Sequence, residues 1–446
     1  MSDHVVRFLT DVAEIRQALT RSRGFEEPDL SESARAGVVR VFGESLSASQ
    51  VVDRILERVR TEGDSGVASL TEAFDGHAPE RLEVPRPEWE AAWDRIGDDL
   101  RAALTTAADQ IDTFHRKQLR TSWFDTSDDG ILGQLVRPIE RVGIYAPGGS
   151  AVYPSSLLMT AVPAQVAGVS EIVVCSPPHD GHVSDLILAA AHVAGATSVY
   201  QIGGAQAIAA MAYGTESVPH VDKIYGPGNI FVVLAKKKLY GVTAMDALPG
   251  PTETLLIADH FANPELAAAD LLAQAEHDPM ASAILLTDSA DLAQSVADQL
   301  ASQLPGLDRC DIAGASLRAN GLIGVVPSLI DAVELANAYA PEHMCLLTAN
   351  PWDLVPLVRN AGGLFVGEAS PEALADYTTG PSHVMPTGGT ARFFSPVHLN
   401  DFYKVINLAA ANHRALHRLG PATIALARAE GLGAHAAAIE RRLRAT

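Results

Sequence analysis

"SVYQIGGAQ", residues 198–206, joins a short apolar run to a glycine turn and to the start of an alanine-rich helix that continues to residue 213. The same order of strand, turn and helix recurs in three stretches: "RVGIYAP" (141–147) before a Pro-Gly-Gly turn (147–149) and a helix at 155–168, "EIVVCSPP" (171–178) before a helix at 183–194, and "VDKIYGPGN" (221–229) before the helix "IFVVLAKKKLY". Four such units in succession predict a parallel sheet covered by helices.

A second β-rich region follows the first. Its apolar runs are separated by spacers long enough for helices: "TLLIAD" (254–259), "AILLTD" (283–288), "GLIGVV" (321–326), "CLLT" (345–348) and "GLFVG" (363–367). Helical patterns fill residues 45–120 and return after residue 390. The sequence therefore predicts an α/β fold with two Rossmann-like parallel-sheet lobes, one inserted in the other, and small N- and C-terminal helical segments.

The predicted domain boundaries follow these changes of pattern. We expect an N-terminal arm at residues 1–38, a first α/β lobe built from residues 39–140 and 255–395, a second α/β lobe at residues 141–254, and a C-terminal helical segment at residues 396–446.

Glycine turns end the strands of the second lobe, as in "PGGS", "GGAQ" and "GPGN". Ligands of α/β sheets bind where such turns lead into helices, at the carboxyl ends of the strands. The strict dinucleotide fingerprint G-x-G-x-x-G is absent from the sequence, so a nucleotide site and ordinary tight turns both remain open. Asn229 of "GPGN" could simply cap the helix that it precedes.

The composition limits the class of partner. The chain has 446 residues, of which 47% are hydrophobic and 20% charged, as expected of a folded protein with two to four domains. Its 33 basic and 54 acidic side chains give a net charge of −21, which repels phosphate backbones. We therefore expect a small-molecule substrate and no nucleic-acid partner.

Several features favour a cytoplasmic location. No apolar run reaches the length of about 18 residues that a membrane span needs, so we expect no membrane association. The first residues contain acids where a signal peptide would be basic and then apolar. Cys175, Cys310 and Cys345 are an odd number without C-x-x-C spacing, and we interpret them as buried thiols in a reducing compartment.

Four short motifs contain candidate functional residues. In "QAEH", Gln274 and His277 are three residues apart at a predicted helix end, which suits either a metal site or a solvated polar face. In "PEH", Glu342 and His343 suit general acid–base catalysis or a merely polar loop. The other two motifs place an acid and an imidazole around a glycine turn: Asp376 and His383 in "DYTTGPSH", and Glu430 and His435 in "EGLGAH". The first of these two can bind a divalent metal or a polar substrate, whereas His435 alone would be solvent-facing on an alanine-rich helix.

Together these motifs, with "YAPGG", "IGGAQAIAA" and "GPGN", closely resemble the histidinol dehydrogenase family, in the same order from about residue 55 to residue 443. The resemblance implies a homodimer with shared active sites, one Zn2+ per subunit and two NAD+ used in succession. It implies zinc ligands at Gln274, His277, Asp376 and, from the partner subunit, His435. It implies acid–base catalysis by Glu342 and His343, NAD contacts at Tyr145, Gln206 and Asn229, and substrate contacts at Thr252, Gln274, His277, His343, Asp376, His383, Glu430 and His435. The lobe at 39–140 and 255–395 would then contain the metal and acid–base residues, the lobe at 141–254 would bind NAD, and the C-terminal segment would be a dimer arm.

The resemblance implies oxidation of L-histidinol to L-histidine through L-histidinaldehyde, in histidine biosynthesis. Two His, one Asp and one Gln would leave Zn2+ with a net charge of about +1, which suits substrate nitrogens better than a structural role. His343, neutral at pH 7, would take the hydroxyl proton, and Glu342 would activate water for the second oxidation. The alternatives are a related dehydrogenase of another small polar alcohol such as a sulfonated diol, a zinc hydrolase that uses Glu342, and a binding module without catalysis.

Overall fold

A computed structural model describes residues 5–21, 30–77, 79–148, 152–247 and 250–445. Gly149 of the predicted Pro-Gly-Gly turn and the following Ser150 lie outside the described residues, as do parts of the predicted N-terminal arm. Among the described residues, no helix combines the length and the apolar composition that a membrane-spanning segment needs.

The described residues form 14 strands. They are β1 Arg7–Leu9, β2 Trp123–Ser127, β3 Gly130–Pro138, β4 Arg141–Tyr145, β5 Glu171–Ser176, β6 Ser198–Gln201, β7 Lys223–Tyr225, β8 Ala244–Met245, β9 Glu253–Ala258, β10 Ser282–Thr287, β11 Leu322–Val325, β12 His343–Leu347, β13 Gly363–Val366 and β14 Tyr403–Ala411.

The described residues also form 17 α-helices. They are α1 Val12–Ala18, α2 Glu32–Phe42, α3 Ala48–Glu62, α4 Asp64–Asp75, α5 Arg86–Arg95, α6 Asp98–Arg116, α7 Pro154–Ala167, α8 Asp185–Val193, α9 Gly204–Tyr213, α10 Ile230–Leu239, α11 Pro264–Ala275, α12 Ala290–Gln303, α13 Cys310–Asn320, α14 Leu329–Tyr339, α15 Glu372–Tyr377, α16 His413–Ala429 and α17 Gly433–Arg444.

Two parallel sheets organise the chain, as predicted. One has six strands in the order β1-β11-β10-β9-β12-β13, and the other has five in the order β6-β5-β4-β7-β8. Every neighbouring pair within these two sheets is parallel. Because β1 precedes the five-stranded sheet and β9 to β13 follow it, the five-stranded lobe is inserted in the six-stranded one. The predicted α/β class with one lobe inserted in the other is confirmed.

The apolar strands are buried on both faces, which explains why their sequences are continuous hydrophobic runs. In β9, Leu256 and Ala258 point into one hydrophobic cluster, whereas Leu255 and Ile257 point into the cluster on the opposite face. This alternation follows from the two-residue period of a strand, and helices cover each face.

The helices between residues 48 and 116 cover the five-stranded sheet. Helix α3 packs on α9 and α10, α5 packs on α8, and α6 packs on α7. The sequence analysis assigned residues 39–140 to the same lobe as residues 255–395. This assignment is wrong for α3, α5 and α6, which pack on helices of the five-stranded lobe. A helical pattern identifies the apolar face of a helix, but it does not say which of two sheets that face covers.

The predicted N-terminal arm is partly wrong. Strand β1 pairs with the edge of the six-stranded sheet, opposite Leu322 to Gly324 of β11. Ile15 of α1 is fully buried in the cluster beneath that sheet. A strand of three residues and a helix of seven are too short to produce a visible period in the sequence, so the segment looked like an unattached arm.

A third sheet, antiparallel and in the order β14-β3-β2, was missed. Its β14 lies inside the segment predicted to be helical, residues 396–446, before α16 and α17, which pack against each other. Large side chains on it are exposed, among them Phe124, Leu132 and Ile406. Exposed strands lack the sharp alternation of apolar and polar residues by which strands are recognised, which explains the error.

The three cysteines are free thiols, as predicted. Cys175 and Cys345 are buried, but Cys310 at the start of α13 is partly exposed, so the prediction that all three are buried is wrong for Cys310.

Candidate active site

Polar residues from several loops meet where strands of the six-stranded sheet begin. Thr252 directly precedes β9, Glu342 directly precedes β12, and these two strands are paired with His343 opposite Thr254. Helix α11 runs back across the sheet and ends at Ala275, so Gln274 reaches the same edge. We call the group Thr252, Gln274, His277, Glu342, His343, Asp376 and His383 the amino-edge site.

Glu342 and His343 are both attached to the backbone of Glu253. The backbone N–H of Glu253 donates to Oε2 of Glu342 over 3.1 Å, and the carbonyl of Glu253 lies 3.1 Å from Nδ1 of His343. Since a carbonyl only accepts, Nδ1 of His343 must carry the proton, and Nε2 is directed elsewhere. Nε2 is buried without a hydrogen-bond partner among the described residues, and Oδ1 of Asp376 lies 3.7 Å from it.

Thr252 connects Glu342 to Gln274. Its Oγ1 lies 2.7 Å from Oε2 of Glu342 and 2.9 Å from Oε1 of Gln274, and its single hydroxyl proton can serve one of them at a time. Burial raises the pKa of Glu342 to about 7, so this carboxyl group changes charge near neutral pH.

The charge of His343 depends on the groups around it. Burial lowers the pKa of this imidazole, but the carboxylates of Glu342, Glu372 and Asp376 raise it further, to about 10. These carboxylates favour the protonated imidazole, and the neutral form at pH 7 stays a prediction that depends on what else lies beside Asp376. Positive charge placed beside Asp376 would offset these carboxylates and lower the pKa of His343 again.

Gln274, His277 and Asp376 provide an amide oxygen, an imidazole and a carboxylate. Gln274 is oriented by Glu372, since its Nε2 donates to Oε2 of Glu372 over 2.5 Å and its Oε1 faces Thr252. His277 lies two residues beyond the end of α11 and is exposed. No group of three or more His, Cys, Asp or Glu side chains that could hold a metal ion occurs in the part of the chain that the structure describes. Of the four predicted zinc ligands, one chain thus supplies three: the imidazole of His277, the carboxylate of Asp376 and the amide of Gln274.

His383 connects the two lobes. Its Nδ1 donates to the carbonyl of Asp376 over 2.6 Å, and its Nε2 lies 3.0 Å from the hydroxyl of Ser156 on α7. Burial lowers the pKa of His383, and the neutral form fits both bonds, with Ser156 donating to Nε2. Helix α7 follows β4, so the carboxyl end of the five-stranded sheet faces the amino-edge site.

Glu430 and His435 do not join the amino-edge site within one chain. Glu430 caps the end of α16, His435 lies in the first turn of α17, and both are exposed. Within the described ranges, neither side chain has a hydrogen bond to the amino-edge site.

The residues predicted to contact NAD lie at the carboxyl ends of three strands of the five-stranded sheet. Tyr145 ends β4, Gln206 lies in the first turn of α9 after β6, and Asn229 caps α10 after β7. We call these three residues the carboxyl-edge site. The loop before Asn229 begins at Gly226, whose φ of +115° and close approach to the Tyr145 carbonyl exclude any side chain.

The carboxyl-edge side chains bond to neighbouring backbone. Oδ1 of Asn229 accepts from the N–H groups of Phe231 and Val232 over 3.1 and 3.3 Å, which is the capping role left open by the sequence. The hydroxyl of Tyr145 accepts from the N–H of Gly204 over 3.1 Å. Gln206 is buried beside the same glycine.

Sequence reasoning missed three residues of this region: Arg21, Glu253 and Glu372. Glu372 is four residues before Asp376, on the same face of α15, and this spacing was a usable signal. Glu253 is part of "GPTE", and its position directly beside Thr252 was a second usable signal. Arg21 lies 232 residues from its partner Glu253, and the sequence contains no signal for that pairing.

Known proteins of one family are similar to this chain over nearly its whole length. The family model described as histidinol dehydrogenase matches residues 42–443. A histidinol dehydrogenase of Deinococcus radiodurans is 52% identical over 435 residues, covering 97% of this chain and 99% of that protein. One of Thermus thermophilus is 49% identical over 398 residues, covering 89% and 95%. The crystal structure of histidinol dehydrogenase from Elizabethkingia anophelis superposes with a TM-score of 0.91 at 34% identity, covering 100% of this chain and 99% of that one.

Proposed function

The chain belongs to the histidinol dehydrogenase family of NAD-dependent oxidoreductases, which act on an alcohol and its aldehyde, and we propose that the amino-edge site carries out both oxidations. The substrate is L-histidinol, the intermediate L-histidinaldehyde and the product L-histidine. The observation that supports this assignment most directly is the buried Glu342–His343 pair, which the backbone of Glu253 holds in place.

The donors of the amino-edge site fit a zinc ion. Asp376, His277 and Oε1 of Gln274 are ligand types that zinc accepts, and a single carboxylate leaves a cationic site open to substrate nitrogens. When bound, zinc supplies a Lewis acid for those nitrogens, and NAD+ supplies the hydride acceptor for both oxidations. We infer one zinc per subunit.

His343 is the base of the first oxidation in this proposal. In the neutral form of His343, Nδ1 keeps its proton because it donates to the Glu253 carbonyl, so Nε2 is the atom that can take the substrate's hydroxyl proton. Its burial keeps water from competing for that position. The bond to Glu253 also fixes the plane of the ring, so the proton acceptor needs no reorientation during the reaction.

Glu342 serves the second oxidation. The aldehyde must take up water before it can lose a second hydride, and a carboxylate with a pKa of about 7 can remove a proton from that water near neutral pH. Thr252 holds the same carboxylate and reaches Gln274, so the water-activating group and a metal ligand keep a fixed separation.

NAD+ is assigned to the carboxyl-edge site. Strands β4 and β7 are neighbours although β5 and β6 come between them in sequence, so the strand order reverses at this point of the sheet. Nucleotides bind in α/β sheets outside the carboxyl ends of strands at such reversals. The contact between His383 and Ser156 supports a nicotinamide position next to the amino-edge site.

We further infer a homodimer in which the C-terminal segment of each subunit completes the site of the other. The three-stranded sheet and the α16–α17 hairpin expose large apolar side chains, including Leu132, Ile406 and Leu426, and such surface is usually covered by a partner. A second copy would bring Glu430 as a substrate contact and His435 as the fourth zinc ligand. A cytoplasmic location is also proposed, supported by three free thiols.

The test is incubation of the purified protein with L-histidinol, Zn2+ and NAD+, while reduced cofactor and histidine are both measured. Two reduced cofactors per histidine are expected. One reduced cofactor per substrate, with the aldehyde as product, would refute the four-electron reaction. Turnover of a sulfonated diol but not of histidinol would instead identify a dehydrogenase with a different substrate.

A further inference from the structure

The N-terminal segment reaches the catalytic region through Arg21. Its guanidinium makes a two-pronged ion pair with Glu253, in which Nη2 donates to Oε2 over 2.8 Å and Nη1 donates to Oε1. The same guanidinium stacks on Tyr339, with Cζ 3.5 Å from the ring centroid. Planar guanidinium groups held on both an aromatic face and a carboxylate have little freedom of orientation.

Glu253 has two other functions besides pairing with Arg21. Its carboxylate accepts from the N–H of Gly388 over 3.0 Å, in the loop that follows His383. Its backbone N–H and carbonyl bond to Glu342 and His343, as described above. One residue therefore connects Arg21, the 383–389 loop and both members of the proposed acid–base pair.

The ion pair compensates the charge of a carboxylate that is buried at this position. Glu253 is 7% exposed, and Arg21 is the cation with which it forms an ion pair. Without that cation, the carboxylate would have to move towards water, because an unpaired buried charge is strongly unfavourable. Such a movement would disturb the bonds from the same residue to Glu342 and His343.

We propose that Arg21 is a positioning residue for the Glu342–His343 pair, acting through Glu253. The proposal rests on the proposed function of those two residues. A displacement of about 1 Å at reacting groups can reduce a rate about 100-fold, so a residue without substrate contact can have a large effect on turnover. The N-terminal segment is thereby a part of the catalytic apparatus and not only an edge of the sheet.

A purely structural role would have a different signature. If Arg21 only attached residues 7–21 to the lobe, its loss would lower the melting temperature and the folded fraction. It would not change kcat for each folded, zinc-loaded subunit. A positioning role lowers kcat for each such subunit and leaves KM for NAD+ unchanged, since the carboxyl-edge site belongs to the other sheet.

The experiment compares Arg21→Ala and Arg21→Lys with Arg16→Ala, an exposed arginine of α1, as the matched control. For each variant, kcat and both KM values are measured per zinc-loaded dimer, together with the melting temperature. We expect Arg21→Ala to lower kcat about 10- to 100-fold, with KM for NAD+ within twofold of the parent. Arg21→Lys keeps the charge but not the two-pronged geometry, so an intermediate kcat is expected. Arg16→Ala should match the parent.

Glu342→Gln, assayed in parallel, separates the two proposals. If Glu342→Gln is fully active, the proposed function of the pair fails. If Glu342→Gln is impaired but Arg21→Ala keeps the parental kcat per folded subunit, the positioning role of Arg21 is refuted. Should Arg21→Ala fail to fold, Arg21→Lys decides: a kcat within twofold of the parent contradicts the proposal, and a reduced kcat at unchanged KM for NAD+ supports it.

Discussion

The two parallel sheets of this protein have their candidate sites at opposite edges. In the five-stranded sheet, Tyr145 ends β4, and Gln206 and Asn229 follow β6 and β7, so all three lie at the carboxyl ends of strands. In the six-stranded sheet, Thr252 and Glu342 precede β9 and β12, at the amino ends. Ligands of open α/β sheets usually bind at the carboxyl ends, so the first site follows that rule and the second departs from it.

The direction of the covering helices explains the difference. Helices begin at the carboxyl edge of a parallel sheet, where their free N–H groups and positive dipole ends suit an anion such as a pyrophosphate. Helices end at the amino edge, as α11 does beside Gln274, and there the carbonyl ends favour a cation. An enzyme that uses an anionic nucleotide and a metal ion can thus place one at each kind of edge. The bond between Ser156 and His383 shows where the two edges meet.

The largest expected effect is loss of metal from the amino edge. His277→Asn and Asp376→Asn should each remove bound zinc and abolish activity. Dialysis of the parent protein against a chelator should do the same, with recovery on addition of Zn2+. Zinc content, activity and melting temperature are the measurements.

The melting temperature should change little when zinc is removed, because neither ligand belongs to the hydrophobic clusters. The matched control is His260→Asn, an exposed histidine just after β9 at the carboxyl edge of the same sheet, which should keep zinc and activity. A large fall in melting temperature on chelation would instead assign the metal a structural role.

A second prediction is that one substitution affects the two oxidations differently. Glu342→Gln should leave alcohol oxidation nearly intact and slow aldehyde oxidation by about 10²- to 10⁴-fold, the usual size of a general-base contribution. Single-turnover measurements starting from histidinol and from the aldehyde would separate the steps. Glu334→Gln, an exposed acid on α14, is the control. Collapse of alcohol oxidation with normal aldehyde oxidation would reverse the roles assigned to the pair.

Long buried strands are easier to predict from the sequence than strands that are exposed or very short. Strands such as β9 and β12 are buried on both faces, so their apolar runs are long and distinct. Strands β2 and β14 are largely exposed, β3 is mostly half-buried, and β1 has three residues, so none of these strands leaves a clear pattern. Fold class follows from the buried elements alone.

Some residues of the candidate site were likewise easier to predict from the sequence than others. Gln274, His277 and Asp376 belong to short motifs whose residue types suggest their chemistry. Arg21 could not be found, because ion pairs between distant segments depend on tertiary packing and leave no local pattern in the chain. Its importance appears only when the backbone bonds of Glu253 are known.

A third prediction concerns the C-terminal segment, residues 396–446, which belongs to neither parallel sheet. His435→Ala and His343→Ala should each be inactive, but mixing and reassembling them should restore activity. In a heterodimer with swapped arms, one site has both lesions and the other has neither. Under random exchange, about half of the dimers are mixed, so roughly a quarter of all sites should be intact. Absence of recovery after verified subunit exchange would mean that His435 serves its own chain or no site.

We expect the smallest effect from replacing one helix-capping asparagine at the carboxyl edge of each parallel sheet. Asn229 caps α10 in the five-stranded lobe, and Asn263 caps α11 in the six-stranded lobe, where its Oδ1 accepts from the N–H of Glu265 over 2.9 Å. Replacing either asparagine with alanine removes a helix cap, which costs about 1 kcal/mol and should lower the melting temperature by a few degrees. Only Asn229→Ala should also raise KM for NAD+, by about 2- to 10-fold, the size of one lost hydrogen bond. Asn263 begins a helix at the same kind of edge but in the lobe to which no nucleotide is assigned, so it controls for the loss of the cap. Equal KM values for the two variants would mean that Asn229 is a cap and nothing more, and the carboxyl-edge site would then have to bind its nucleotide through backbone N–H groups alone.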